Sequence, residues 1–193
     1  MIFVIDTSSA INALVVLEPN GAVRSELRLP ARSDELRGTM KRVALAHMLT
    51  RVAVATGPGS FTGLRVGVSF ALGLAMGLRV PLVPLRTLAL QAARADDPVM
   101  SVAEAGRGRV YYQAPGDEPG LGDPADLPTN HDAVGWVRAD TERSMLGAGI
   151  HFRPEGQLRT FGEAAARLLE TAREVAYGSL RIEYMQSFSA LKR

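Results

Sequence analysis

The segment Thr56-Gly57-Pro58-Gly59-Ser60-Phe61-Thr62-Gly63-Leu64-Arg65-Val66-Gly67 sets four glycines where an apolar run passes into a helical one. Backbone N–H groups freed at such a junction, together with the helix dipole, can cradle a phosphate, which makes Gly57, Gly59 and Ser60 candidate contacts. The string matches none of the established phosphate loops. A Walker loop ends in Gly-Lys-Ser/Thr, whereas this helix opens Thr62-Gly63-Leu64 with no lysine at hand. The dinucleotide fingerprint fails at Thr62, where its third glycine belongs, and no acid follows about twenty residues on to hold a ribose. Gly-x-Ser-x-Gly is also unmet, so Ser60 is no nucleophile. Asp6, Thr7 and Ser8 could offer a carboxylate to Mg2+ and hydroxyls to phosphate oxygens. The commoner role for such a cluster is an Asx turn. His47, His131 and His151 are solitary and cysteine is absent, so no metal site is expected. Tyr111-Tyr112, beside Arg107 and Arg109, could stack bases, although cross-strand packing is the usual fate of such a pair.

These residues need elements to hold them. Ile2–Ile5, Ile11–Leu17 and Ala22–Leu29 read as a three-stranded antiparallel meander, with a turn at Asp6–Ser9 and another at Pro19-Asn20-Gly21. Ser33 or Asp34 caps a helix to about His47, and Val52–Ala55 is a buried parallel strand. Thr62–Leu78 is a helix, Val80–Leu85 a strand and Thr87–Arg94 a helix. Val99–Glu104 and Arg109–Gln113 form a second hairpin, which repeats the first: a strand, an acid at its end (Asp6, Glu104), a small-residue turn and a return strand. Pro115–Pro128 is read as a loop, Asp132–Trp136 as a short helix, Ser144–Ala148 as a strand and Phe161–Val175 as an amphipathic helix.

The helical run Val66–Leu78 is apolar or small on every face and must therefore be covered on every face. Gly67, Gly73 and Gly77, with Ser69, punctuate it, and each interior glycine costs about 1 kcal/mol relative to alanine. Close approach of another helix would offset that, supplied either from within the chain or by another subunit.

Composition bounds the class. The chain has 193 residues, 47% hydrophobic and 22% charged, enough for one domain or two small lobes without disulfide staples. The charge-free run Val66–Leu78 would span about 20 Å as a helix, short of a bilayer core of about 30 Å, and no leader pattern follows Met1. A cytoplasmic protein without membrane contact is expected. The net charge of +2 hides an uneven distribution. Leu36–Ala95 contains no acid and eight cations: Arg37, Lys41, Arg42, Arg51, Arg65, Arg79, Arg86 and Arg94. Such a segment is either a solvated face or a surface for an anionic partner.

Several strings together resemble the bacterial TsaB (YeaZ) family: Ile2-Phe-Val-Ile-Asp6-Thr-Ser8, Gly57 to Gly67 ahead of an Ala/Gly/Leu-rich helix, Arg79-Val-Pro-Leu-Val83, Gly108-Arg-Val-Tyr-Tyr112 and Ile182-Glu-Tyr184-Met. The family often has a His-Ser-Glu-like string where this chain has Arg32-Ser33-Asp34-Glu35, and Pro115–Pro128 is also unlike it. The resemblance implies an α/β fold of the actin, Hsp70 and sugar-kinase (ASKHA) type. Its two lobes would be residues 1–98 and 99–193, each a mixed sheet flanked by helices, the second with a Pro/Gly-rich loop near 115–128. It further implies a non-catalytic subunit that supports a TsaD transferase, with the ATPase TsaE, in placing threonylcarbamoyl on the adenosine beside the anticodon of tRNA. ATP and Mg2+ would serve that wider complex, with no cofactor bound here and tRNA met through the complex. The family's partner surface includes helices of the first lobe. That favours subunit contact for Phe61, Leu64, Arg65, Val66, Ser69, Phe70, Gly73, Leu74 and Gly77, whether with TsaD or with a second copy in a homodimer. Asp6, Thr7, Ser8, Gly57, Gly59 and Ser60 would then be the remnant of a nucleotide site. Two other classes compete: an ATP-dependent phosphotransferase of the same fold, and a stand-alone RNA-binding module.

Overall fold

The computed structural model describes residues 1–185. It holds two mixed sheets. The first runs β3-β2-β1-β4-β5, with β1 at Ile2–Asp6, β2 at Ile11–Leu17, β3 at Val23–Pro30, β4 at Arg51–Ala55 and β5 at Leu82–Leu85. β1 pairs antiparallel with β2 and parallel with β4, and β4 pairs parallel with β5. The second runs β8-β7-β6-β9, with β6 at Met100–Gly106, β7 at Arg109–Gln113, β8 at Gly120–Gly122 and β9 at Ala133–Trp136. β6 is antiparallel to β7 and parallel to β9. The repeat expected from the two hairpins is thus a repeat of topology, in which β6, β7, β8 and β9 take the places of β1, β2, β3 and β4.

Every residue of β1 is buried because helices cover both faces of its sheet. Phe3 and Ile5, with Leu14, Val16, Val52 and Val54, point to α1 (Leu36–Ala46) and α2 (Phe61–Leu78). Ile2 and Val4, with Val15, Ala53 and Val83, point to the other side. There they meet Phe161, Ala165 and Leu169 of α5 (Phe161–Leu169). The period of two along each strand divides the core in this way. α3 (Thr87–Ala92) leads into the second sheet, which α4 (Ala139–Gly147) covers.

Some elements differ from expectation. Ala133–Trp136 is a strand rather than a helix, because its backbone ladders onto β6. Ser144–Gly147 ends α4 rather than forming a strand. That helix is nucleated from outside by Glu104, whose carboxylate accepts from the Arg138 amide at 3.0 Å and the Thr141 hydroxyl at 3.3 Å. The cap of α1 is Glu35, with no side-chain bond, and Ser33 Oγ instead accepts from the Glu35 amide at 3.3 Å. Pro115–Pro128 carries β8 and a short 3-10 turn over Pro124–Asp126. α5 stops at Leu169, and Val175 then bridges to Leu82 of the first sheet. The boundary near residue 98 therefore separates the sheets, while α5 returns to pack on the first of them.

One polar cluster joins the lobes. Glu155 accepts from Arg94 at 2.5 Å, from Arg28 of β3 at 3.0 Å and from the Trp136 indole at 3.4 Å. Both guanidiniums also approach the Trp136 ring at 5.1 Å. Partial burial raises the Glu155 carboxyl, and the hydrogen bonds from Arg94 and Arg28 outweigh it, holding the group below the usual carboxylate range. Its stabilising effect is full above pH 4.5 and fades as pH falls through the depressed folded value. Glu155→Ala strands Arg94, 1% exposed, without its carboxylate, and should cost about 2–3 kcal/mol in denaturant unfolding. Arg28→Ala, at the more open partner, should cost under about 1 kcal/mol.

Candidate functional site

Parallel pairing of β1 and β4 brings the turn after Asp6 and the turn after Ala55 to one edge of the sheet. Asp6, Thr7, Ser8, Gly57, Gly59 and Ser60 are therefore neighbours. The glycines make direct contact with the β1–β2 turn. A Cβ on Gly59 would overlap the Ser8 carbonyl, one on Gly63 the Thr7 carbonyl, and one on Gly67 the Thr7 hydroxyl. The Ser60 amide donates to the Ser8 carbonyl at 2.6 Å, and the Thr7 hydroxyl donates to the Gly63 carbonyl at 2.6 Å. Ser60 Oγ caps α2 by accepting from the Gly63 amide at 3.3 Å. The amides of Ser60 and Gly63 are thus committed inside the chain. The open groove of about 670 Å3 beside Ile2 and Arg51 lies at the opposite edge of this sheet.

Asp6 is fully buried. Its Oδ1 accepts from the Ser8 amide at 2.8 Å and the Ser8 hydroxyl at 2.5 Å, and Oδ2 has no partner. Burial pushes the carboxyl from 3.8 up to about 6, against the lowering effect of the Ser8 hydrogen bonds. A folded value above the unfolded one means that the fold binds a proton.

The C-terminal segment covers the other side of the glycine turn. The Glu183 amide donates to the Thr56 carbonyl at 2.8 Å, and a Cβ on Gly57, where φ is +115°, would lie 2.7 Å from the Glu183 carbonyl. Ile182 packs into the core under α2, while Met185 packs beside Leu88, Ala103 and Tyr111.

α2 has two contrasting faces. Leu64, Gly67, Val68, Ala71 and Ala75 are buried against the sheet, so Leu64 is a core residue and not the partner contact expected. Val66, Phe70 and Leu74 are half-buried beside the same core. Phe61, Arg65, Ser69, Gly73 and Gly77 are exposed, together with Met76 and Leu78. A Cβ on Gly73 or Gly77 would meet no atom within 4 Å. Among the described residues α2 alone has the length and apolar composition of a membrane span. Its inner face is nevertheless packed on β1 and β4. Leu45 and Met48, at and just beyond the end of α1, are exposed by 78% and 90%. Met76 was legible at helical spacing from Ser69 and Gly73, but Leu45 and Met48 lacked any such companion stripe.

The remaining candidates disperse. Tyr111 is buried and Tyr112 half-buried, each in a different apolar cluster, so they form no exposed base platform. No group of three or more His, Cys, Asp or Glu side chains suited to a metal ion occurs among the described residues.

Two outcomes follow for stability. Ionised Asp6 costs the fold about 3 kcal/mol above pH 6, a cost absent below the unfolded value of 3.8. Asp6→Asn should therefore stabilise the protein near neutral pH and lose that advantage on acid titration. Gly63→Ala should destabilise by more than about 3 kcal/mol, whereas Gly73→Ala, facing open space, should stabilise by about 1 kcal/mol. Thermal and denaturant unfolding read both.

Residues 36–125 match the family described as TsaD, tRNA N6-adenosine threonylcarbamoyltransferase. The tRNA threonylcarbamoyladenosine biosynthesis protein TsaB of Bacillus subtilis is 41% identical over 66 residues, which span 33% of this chain and 29% of that protein. Its namesake from Escherichia coli is 36% identical over 69 residues, 33% of this chain and 30% of that protein. The aligned stretch is thus about a third of the length of these relatives. The solved structure of YeaZ from Pseudomonas aeruginosa superposes with a TM-score of 0.66 at 17% identity, covering 95% of this chain and 99% of that one. The match establishes the fold, two mixed sheets flanked by helices of the ASKHA type, over 95% of the chain. With local identity on one side and the whole fold on the other, the chain is similar to the TsaB (YeaZ) proteins.

Proposed function

We propose that this chain is a non-catalytic accessory subunit in the biosynthesis of threonylcarbamoyladenosine in tRNA, docking on a TsaD-like transferase through the outer face of α2 and the end of α1. The observation that carries this reading is the contrast among the glycines of one helix. Gly63 and Gly67 are accounted for by Thr7, while a Cβ on Gly73 or Gly77 would meet nothing among the described residues, yet each glycine costs about 1 kcal/mol. With Ser69 they make a flat strip at spacings of four residues, edged by Met76 and Leu78, against which a second helix axis can lie close. Of nine exposed large hydrophobics among the described residues, four besides Phe61 at the start of α2 (Leu45, Met48, Met76, Leu78) lie on these two helices or just past α1. That concentration is what an interface core requires.

The partner is argued from likeness. The stretch matching the TsaD description contains α1 and α2, so a TsaD-like chain would present corresponding helices, and two such surfaces can pair about a pseudo-twofold axis. The TsaE-like ATPase, with its ATP and Mg2+, and tRNA would join through that pair in the cytoplasm. The Gly57–Gly67 turn acts in this reading as a splice between β1 and α2, with the Ser60 and Gly63 amides already used. The phosphotransferase alternative is weaker for the same reason.

Gly73→Leu and Gly77→Leu should leave the melting temperature unchanged or higher and lower co-purification of the TsaD-like subunit at least tenfold. Retention of the pair by both folded variants would overturn the docking face. Loss of a self-dimer without loss of the transferase would assign the face to a second copy instead.

A further inference from the structure

At the N-terminal end of α2 three side chains form an exposed stack. The Arg65 guanidinium carbon lies 3.7 Å from the Phe61 ring centroid. The Phe61 and Tyr184 rings are 5.4 Å apart at 41°, and Arg65 Nε donates to the Tyr184 hydroxyl at 3.4 Å. Phe61 and Tyr184 nevertheless remain 42% and 48% exposed. Packing alone would bury them, since each ring carries a large apolar area. Arg65 has no carboxylate partner among the described residues, and Arg181, three positions before Tyr184, bonds only backbone carbonyls there. Arg86 pairs with Glu183, the residue before Tyr184, at 3.2 Å. Glu183 is the one acid among residues 181–185, with Arg181 on the same segment and Arg86 paired to it.

From this geometry we infer that Arg65, Phe61 and Tyr184 form a stacking platform for an unpaired base of RNA, with Arg86 and Arg181 meeting the adjoining phosphates. Single-stranded RNA is held by this combination: an aromatic face that accepts any base, an arginine plane that extends the stack, and cations along the backbone. A protein partner would suit the uncharged strip from Ser69 to Leu78 better, where no arginine intrudes. The platform therefore separates two kinds of recognition on one helix, protein along its length and nucleic acid at its start. The assignment rests on the accessory-subunit reading for its RNA and deepens it by naming the residues that touch that RNA.

The test uses the full chain in its pair with the TsaD-like subunit, and a synthetic anticodon stem-loop RNA read by fluorescence anisotropy. Tyr184→Leu keeps an apolar side chain against Phe61 and removes the ring face, and should weaken binding roughly tenfold. Tyr184→Phe should bind as the parent does. Arg86→Gln should weaken binding and lower the slope of log affinity on log salt by about one. Fully duplexed RNA should be indifferent to Tyr184→Leu. Unchanged stem-loop binding by Tyr184→Leu, with the subunit pair intact, would overturn the platform and leave the docking face standing. Loss of the subunit pair in Tyr184→Leu would also overturn it, by showing that the ring contacts protein.

Discussion

The turn between β1 and β2 is where the molecule's parts are fastened to one another. Thr7 and Ser8 press their backbone onto Gly59 and Gly63 so closely that no side chain fits between them. One residue further on, the Ser9 hydroxyl donates to the Trp136 carbonyl of β9 and accepts from the Glu104 amide of β6 at 3.4 Å. Three consecutive residues thereby fix α2 on the first sheet and the first sheet on the second. The orientation of α2, and hence everything its outer face presents, depends on this contact. Asp6, buried just before the turn with one oxygen unpartnered, shows what the arrangement costs: a carboxyl is tolerated there at the expense of its charge.

Much of this was legible from residue types. The meander, the buried strand β4, the long helix and the repeated hairpin all follow from alternation, turn residues and apolar runs, because those signals are local. β9 and α4 were misread in opposite senses because each is decided by a distant partner. Ala133–Trp136 becomes a strand through its ladder to β6, and α4 starts where Glu104 receives it. Length and periodicity cannot report either contact. The glycine string was legible as a special place, but its chemistry was not. The same four residues can leave room for a phosphate or for a neighbouring backbone, and only the position of Thr7 and Ser8 decides between them. In α2 the pattern gave the apolar character but not the side, which is why Leu64 looked equivalent to Phe61.

Charge is divided along the same lines as shape. Most ion pairs among the described residues involve acids from residue 96 onward: Asp96, Asp97, Asp132, Asp140 and Glu155 neutralise arginines of the second lobe or at the junction. The acid-free stretch from Leu36 to Ala95 leaves Arg37, Lys41, Arg65 and Arg79 without a carboxylate partner among the described residues. A surface whose cations are not satisfied internally keeps its long-range field for whatever approaches it. An apolar strip within such a field is selective twice over, since a partner must match both the contour and the sign.

The Glu155 cluster has a bearing on motion. Folds of this two-lobed kind offer a natural axis for opening and shutting, yet here one carboxylate of the second lobe grips two arginines of the first, and an indole of the second lies against both. A body held in this way keeps a single outline before and after an encounter. It therefore surrenders little configurational freedom when it is engaged, and the favourable contacts it makes are spent on holding on rather than on becoming ordered.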